Sequence, residues 1–244
     1  MRIALIGKGR VAGHLGRALM TAGHEVTLCG GRTRLVPVPE DAEAVIISVK
    51  DDAIPFVAQE FVSSAALVLH TSGSVPIDVI PSQHRGVLYP MQTFSYDREV
   101  DFRRIPLFLE SSMPEDMDRL DCLAHSISDI CMPLDGEGRR TLHLAAVLCC
   151  NFVNHLYELS YEILERKGIP FKTLFPLMEE TLAKVRELTP HEAQTGPALR
   201  WDQGVMQNHM LMLDNPLHKE IYRLLSSSIH DTHSKDDKIQ TDAK

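Results

Sequence analysis

The chain has 244 residues, of which 44% are hydrophobic and 24% are charged, as in an ordinary globular protein of one large or two modest domains. Its formal net charge of -8 argues against a nucleic-acid partner, because phosphate binding requires a basic face. No apolar run approaches the ~20 residues that span a bilayer, so we expect no membrane partner. The first residues lack the features of a secretory signal, and we therefore expect a cytoplasmic protein.

The five cysteines suggest neither a disulfide framework nor a zinc site. Their number is odd and no C-x-x-C spacing occurs, so neither paired bridges nor the usual metal-ligand spacing is present. We expect reduced cysteines and no bound metal.

Short β-rich runs recur through the first half of the chain, with helical or loop segments between them. In chain order the runs are IALI, EVTLC, AVIISV, ALVLH, GVLY, PLFLE and ICMPL. Strands that alternate with helical segments are typical of a mostly parallel sheet. We therefore predict an α/β domain over residues 1–134.

The pattern changes to long helices from about Arg139. Helices are predicted at 139–167, 171–188 and 215–231, and Gly and Pro residues mark the end of the first. An all-α domain is therefore predicted over residues 135–232. The polar residues 233–244 are predicted to be a frayed tail.

The first strand leads into a glycine-rich turn with the spacing G-x-G-x-x-A. Gly7 permits a sharp turn, Gly9 lets the backbone approach a pyrophosphate, and Ala12 allows the helix to pack on the strand. This pattern predicts a dinucleotide site, although a ligand-free strand, turn and helix would have the same spacing. The predicted cofactor-binding residues of this turn are Gly7, Lys8, Gly9, Arg10, Val11 and Ala12.

The residues after the second strand bear on the choice of cofactor. An acidic residue there would bind the ribose hydroxyl of NAD, whereas this chain has Arg32, Thr33 and Arg34. A guanidinium pairs well with a 2'-phosphate, so we predict NADP(H). The alternative is that both arginines lie in solvent.

Mostly polar residues lie at the ends of two further strands, where ligands bind in parallel sheets. Ser48, Val49 and Lys50 end one strand, and Thr71 and Ser72 follow the next. These five residues are predicted to face the cofactor. Ordinary turn chemistry explains the same residue types without a ligand.

The segment YPMQTFS follows a later strand, and its Gln92 and Thr93 are candidates for substrate contact. In the second half of the chain, Arg200 in TGPALRWD is a candidate for binding an acidic substrate, or for locking its loop with Asp202.

Several segments together resemble one family: ALIGKGRVAGHLGRAL, VIISVKDDAI, VLHTSGSVPIDVI, GVLYPMQTFS, LDGEGRRTLHLAAVLCCNFVNHLY and TGPALRWD. The chain resembles Rossmann-like proteins with a C-terminal helical DUF2520 domain, which are similar in organisation to pyrroline-5-carboxylate reductase, coenzyme F420-dependent NADP oxidoreductase and the 6-phosphogluconate dehydrogenase superfamily. The resemblance implies a Rossmann-type α/β domain followed by an all-α domain. One departure is that only about fourteen residues separate Cys29 from Ala44, too few for the usual helix and strand.

Hydride transfer requires a proton partner near the reacting carbon. The resembled β-hydroxyacid dehydrogenases use a Lys and an Asn on the first helix of the second domain, and this chain has no such pair. The helix offers His143, Asn151 and Asn154, of which His143 and Asn154 share a face at 3.6 residues per turn. His143 is the candidate proton partner. The alternative is a hydrogen-bonded histidine at a domain or subunit contact.

Three functions follow from these observations. The first is an NADP(H)-dependent oxidoreductase whose small-molecule substrate binds between the two domains. The second is an NADP-binding sensor without catalytic groups, and the third is an assembly protein with an empty nucleotide site. The helix over 139–167 is apolar around most of its circumference, so we also expect a homodimer formed through the helical domain.

Overall fold

The computed structural model describes residues 1–30 and 36–242, and describes side chains as far as residue 234. The chain divides into two compact units, Met1–Cys150 and Asn151–Lys244. The sequence places the domain boundary earlier, at residues 134 and 135, where the last strand gives way to a helix.

The first unit contains one sheet of seven strands among the described residues, in the order β2-β1-β3-β4-β5-β6-β7. The strands are β1 (Arg2–Ile6), β2 (Glu25–Gly30), β3 (Ala44–Ile47), β4 (Leu67–His70), β5 (Arg85–Pro90), β6 (Leu107–Ser111) and β7 (Cys131–Pro133). Neighbouring strands are parallel except for β5 and β6. The predicted strands and the mostly parallel sheet are confirmed.

Both faces of the sheet are covered, which explains why its central strands are continuous apolar runs. All residues of β3 and β4 are buried. Successive side chains of β1 enter different cores, because strand side chains alternate between faces. Ile3 and Leu5 belong to one cluster, and Ala4 and Ile6 belong to the other.

Four α-helices belong to the described part of the first unit: α1 (Arg10–Thr21), α2 (Ile54–Ala58), α3 (Pro114–Ile127) and α4 (Gly136–Ala146). Side chains of α1 and α3 pack in one apolar cluster, and those of α2 pack in the other. Residues 36–43, which are the described part of the connection between β2 and β3, contain no helix. This agrees with the shortened connection that the sequence indicates.

A π-helix, Val147–Phe152, follows α4. The prediction of a regular α-helix over 139–167 is therefore wrong at residues 147–152. A π-turn contains one more residue than an α-turn. The side chains that follow it therefore point in different directions from those of a regular α-helix. The regular α-helical spacing assumed between His143 and Asn154 therefore does not hold across this segment.

The second unit is helical, with α5 (Val153–Glu165), α6 (Phe175–Glu187), α7 (Gln203–Met212) and α8 (Pro216–Asp242). Helix α7 was not predicted from the sequence, because its apolar residues follow no clear helical stripe. The Asp202 side chain begins this helix by accepting a hydrogen bond from the Val205 N–H at 3.1 Å. Helix α8 continues into the segment that the sequence predicts to be frayed.

Candidate functional site

The turn between β1 and α1 packs directly against the end of β3. Gly7 has a φ of +154°, and a Cβ at this position would lie 2.1 Å from the Ser48 carbonyl oxygen. The Ser48 N–H donates to the Ile6 carbonyl at 2.8 Å, which joins the two strand ends. Gly7 is therefore required for the close approach of this turn to β3.

Gly9 has a different role, because a Cβ there would meet no heavy atom within 4 Å. Gly9 is the N-cap residue of α1, and no side chain caps this helix. Uncapped N–H groups and the helix dipole make a helix N-terminus suitable for an anion.

A cavity of about 740 Å³ lies beside this helix N-terminus, at the carboxyl ends of the parallel strands. All of its lining residues belong to the first unit. They are Lys8, Gly9, Arg10, Val11, Ser48, Val49, Lys50, Asp51, Asp52, Ala53, Val57, Thr71, Ser72, Gly73, Tyr89, Pro90, Gln92 and His143.

The structure brings most of the predicted cofactor-binding residues of the first unit to this cavity. Ala12 lies behind it as a buried packing residue of α1. The Arg10 guanidinium donates to the Phe94 carbonyl at 3.4 Å and lies 5.8 Å from the centre of the Tyr96 ring. Arg10 therefore connects the glycine turn to the loop that follows β5. Arg32, Thr33 and Arg34 lie outside the described residues.

The hydroxyl groups at the ends of β3 and β4 form part of the cavity wall. The Thr71 hydroxyl donates to the Ser48 hydroxyl at 3.1 Å. The Ser72 hydroxyl oxygen accepts from the N–H groups of Ser74 and Val75, both at 3.1 Å. Ser72 therefore orders its own turn, and a role toward a cofactor stays a prediction.

Tyr89 and His143 meet at the cavity wall, and we call them the Tyr89–His143 pair. The Tyr89 hydroxyl lies 3.0 Å from Nδ1 of His143. Gly73 packs against both, because a Cβ there would lie 2.8 Å from the Tyr89 Cζ and 2.9 Å from the His143 Nδ1. Burial raises the pKa of the Tyr89 phenol above its usual value, Asp51 acts in the same direction, and Arg139 opposes them. The phenol is therefore protonated at neutral pH.

His143 was predicted from the sequence, but Tyr89 was not. The available signal was position, since Tyr89 ends the run GVLY and begins the segment YPMQTFS, which holds the predicted substrate-contact residues.

A buried ion pair holds the helix that carries His143. Arg139 lies in the first turns of α4 and is fully buried, and its guanidinium binds the Glu110 carboxylate on β6. The same guanidinium donates to the Val75 carbonyl at 2.7 Å. Glu110 also accepts from the Gly136 N–H at 3.2 Å. These contacts tie α4 to β6 and to the turn after β4, one helical turn before His143.

The other predicted residues have less support from the geometry. Gln92 lines the cavity, but its side-chain oxygen accepts from the Thr93 N–H at 2.9 Å, and Thr93 itself is exposed. Asn151, Asn154 and Arg200 are exposed residues of the second unit. Their roles stay predictions.

Neither a metal-binding cluster nor a membrane-spanning helix occurs among the described residues. Within them, no cluster of three or more His, Cys, Asp or Glu side chains could hold a metal ion. None of the helices in this part of the chain has the length and apolar character needed to cross a membrane.

Residues 105–229 match the model of a domain of unknown function, DUF2520. A Bacteroides fragilis protein described as a candidate NADP oxidoreductase is 42% identical, with a TM-score of 0.87 over 94% of this chain and 98% of its own. A Thermotoga maritima protein is 21% identical, with a TM-score of 0.73 over 94% of this chain and 99% of its own.

An imine reductase from Myxococcus stipitatus, solved with NADP⁺, shares the fold at 14% identity, with a TM-score of 0.64 over 98% of this chain and 95% of its own. No curated protein sequence matches the chain. The domain match and the 42% identity over nearly the whole length confirm the resemblance found in the sequence, and the chain belongs to the DUF2520 family of Rossmann-like proteins with a helical C-terminal domain.

Proposed function

We propose that the chain is an NADP(H)-dependent oxidoreductase that transfers a hydride to or from a small molecule at the cavity of the first unit. The observation that carries this proposal is the uncapped N-terminus of α1 beside a cavity of about 740 Å³ at the ends of the parallel strands. The 42% identity to a protein described as a candidate NADP oxidoreductase supports it.

The residues at the cavity fit a dinucleotide. The open space at Gly9 leaves room for a diphosphate against the N–H groups of α1, and Lys8 and Arg10 add positive charge. The hydroxyl groups of Ser48 and Thr71 would hydrogen-bond a ribose of the cofactor. When bound, the nicotinamide would supply or accept the hydride.

The preference for the phosphorylated cofactor rests on Arg32, Thr33 and Arg34 in the sequence. We expect NADPH to bind more tightly than NADH, and the double substitution Arg32→Ala and Arg34→Ala to weaken NADPH far more than NADH. Titration of cofactor fluorescence measures both affinities. Equal affinities in the unmodified protein would contradict the assignment of the 2'-phosphate.

The substitution Gly9→Asp tests the cofactor site itself. The backbone at Gly9 has φ -75° and ψ 176°, which suits a capping side chain, and the space beside it is open. The new carboxylate should cap α1 and keep or raise the melting temperature, while it fills the diphosphate site with negative charge. We therefore expect loss of NADPH binding without loss of stability.

Gly13→Asp provides a control of equal charge. Gly13 is exposed on α1, and the nearest atom to a Cβ there is Nη1 of Arg17 at 3.8 Å. This variant should bind NADPH like the unmodified protein. If Gly9→Asp also binds NADPH normally, the cofactor does not lie at the N-terminus of α1.

The two alternatives predict different outcomes. A sensor would bind NADPH but reduce no substrate, and an assembly protein would bind no cofactor. The Tyr89–His143 pair favours an enzyme, because it places a proton donor at the cavity. Whether the substrate also contacts the second unit stays a prediction.

We propose in addition that two copies of the chain associate through the helical unit. Only three apolar side chains are buried among residues 151–234, namely Leu159, Ala198 and Met206. Many large apolar side chains of this segment are exposed in the single chain, including Phe152, Phe175, Leu177, Leu182, Leu211, Met212, Leu217 and Leu224. Apolar surface of this extent is typical of an interface, and a twofold pair is the commonest solution.

A further inference from the structure

We propose, building on the proposed function, that Tyr89 is the catalytic proton donor of this site, that His143 positions and reprotonates it, and that the substrate is an aldehyde or ketone. The sequence pointed to His143 as the proton partner. The geometry points instead to Tyr89 as the group that meets the substrate, with His143 acting through it.

The position of Tyr89 is the first argument. Tyr89 lies at the carboxyl end of β5, beside the ends of β3 and β4, where a ligand of a parallel sheet binds. Its side chain lines the same cavity as Ser48 and Gly9. A phenol at the wall of this cavity can reach a substrate whose reacting carbon lies against a bound nicotinamide.

The hydrogen bond to His143 is the second argument. Its length of 3.0 Å places the imidazole Nδ1 directly on the phenol oxygen. When His143 is protonated, Nδ1–H donates to this oxygen. The phenol O–H, which donates to the Met91 sulfur at 3.9 Å in the structure, can then turn to donate into the cavity. Gly73 lies in close contact with both rings, and this contact limits the positions that the rings adopt.

The proton transfers balance in the direction of reduction. A bound reduced nicotinamide would supply the hydride and would itself be oxidised. Addition of this hydride to a carbonyl carbon leaves an alkoxide, the Tyr89 O–H bond breaks, and the proton forms the O–H bond of the product alcohol. The resulting phenolate takes the Nδ1 proton of His143, and the half-buried imidazole regains a proton from solvent. Oxidation of an alcohol follows the same steps in reverse.

The chemistry of the phenol selects between a carbonyl and an imine. Burial raises the pKa of Tyr89, Arg139 lowers it by less than burial raises it, and Asp51 adds a smaller increase. An alkoxide is basic enough to take a proton from such a phenol. An imine must be protonated before the hydride arrives, and its nitrogen is too weak a base to deprotonate this phenol. The Tyr89–His143 pair therefore suits aldehydes and ketones.

The other charged groups around the pair are identifiable. Lys50, Asp51 and Asp52 line the cavity, and the Arg139–Glu110 ion pair lies beneath it. The variants that test the pair must therefore leave these groups in place.

The experiment uses the full chain and the variants Tyr89→Phe, His143→Ala and His143→Asn. NADPH affinity is measured by fluorescence, and turnover is measured with benzaldehyde, cyclopentanone and the cyclic imine pyrroline. Tyr89→Phe should leave NADPH affinity unchanged and lower aldehyde and ketone turnover by about a hundredfold to ten-thousandfold. Pyrroline reduction should be negligible in the unmodified protein.

The two His143 variants separate positioning from proton transfer. The Asn side chain can still hydrogen-bond the phenol oxygen but cannot exchange a proton at neutral pH. His143→Asn should therefore keep more activity than His143→Ala, yet less than the unmodified protein, because it cannot return a proton to the phenolate. Ultraviolet titration of tyrosine in the cofactor-free protein should show a Tyr89 ionisation, absent from Tyr89→Phe, that shifts in both His143 variants.

Each outcome has a defined meaning. Full aldehyde and ketone turnover by Tyr89→Phe overturns the proposal, as does binding of NADPH without turnover of either carbonyl compound. A Tyr89 ionisation unaffected by the His143 variants overturns the role of His143. Failure of the unmodified protein to bind NADPH instead refutes the proposed function, and in that case the tyrosine titration still tests the pair.

Discussion

Removal of the Glu110 carboxylate should destabilise the chain strongly, because it leaves the Arg139 guanidinium buried without its counter-ion. Arg139 is fully buried, and the Glu110 side chain is 17% exposed. Glu110→Ala would leave the guanidinium one hydrogen bond, to the Val75 carbonyl. It would also remove the acceptor for the Gly136 N–H at the start of α4.

The size of the effect follows from the burial of the cation. Breaking a buried ion pair by removing one partner costs about 3–5 kcal/mol, and the partial exposure of Glu110 places the expected loss near the lower end. For a chain of this length, a loss of that size lowers the melting temperature by roughly 6–12 °C.

Two further variants make the measurement specific. Asp129→Ala removes the exposed Arg103–Asp129 pair, whose side chains are 53% and 71% exposed, and should cost less than about 1 kcal/mol. Adding Arg139→Met to Glu110→Ala removes the stranded charge and should recover part of the lost stability.

Urea unfolding followed by circular dichroism measures all three variants against the unmodified protein. If Glu110→Ala costs no more than Asp129→Ala, the ion pair does not stabilise the fold. If the double variant is less stable than Glu110→Ala, the stranded guanidinium is not the source of the loss.

Two other predictions concern acid stability and assembly. Burial lowers the pKa of His70 to about 3, whereas an unfolded histidine titrates near 6.5, so the unfolded chain binds this proton first as the pH falls. Stability should therefore decrease below about pH 6.5 by up to ~1.4 kcal/mol per pH unit. His70→Asn, whose side-chain oxygen can still accept from the Ser72 N–H, should show a shallower decrease by urea unfolding at pH 7 and pH 5, and equal slopes would contradict this reasoning. For assembly, sedimentation at micromolar concentration should give twice the chain mass of 27.3 kDa, and a single species at the chain mass with and without NADPH would rule out the dimer.

The elements of the first unit could be predicted from sequence because their signals are local. Apolar runs of strand length, separated by turn residues, identify buried parallel strands. The glycine turn was also identifiable, since Gly7 approaches the Ser48 carbonyl too closely for a side chain and Gly9 leaves open space at the N-terminus of α1.

The helical half was less predictable. The helical spacing of apolar residues predicted one α-helix over 139–167. The chain instead forms a π-helix at Val147–Phe152, which the spacing alone does not indicate. Helix α7 lacks a clear apolar stripe, so its formation depends on the Asp202 cap and on packing.

The candidate catalytic pair depended on tertiary structure. Tyr89 and His143 are 54 residues apart in sequence, on a strand and a helix that no local pattern connects. The glycine at position 73 and the buried Arg139–Glu110 contact bring them together by close packing and by neutralising a buried charge. Local propensity and periodicity determine which segments become strands and helices, because they act through neighbouring residues. The meeting of a phenol and an imidazole at a cavity wall is decided only when the sheet and α4 pack together.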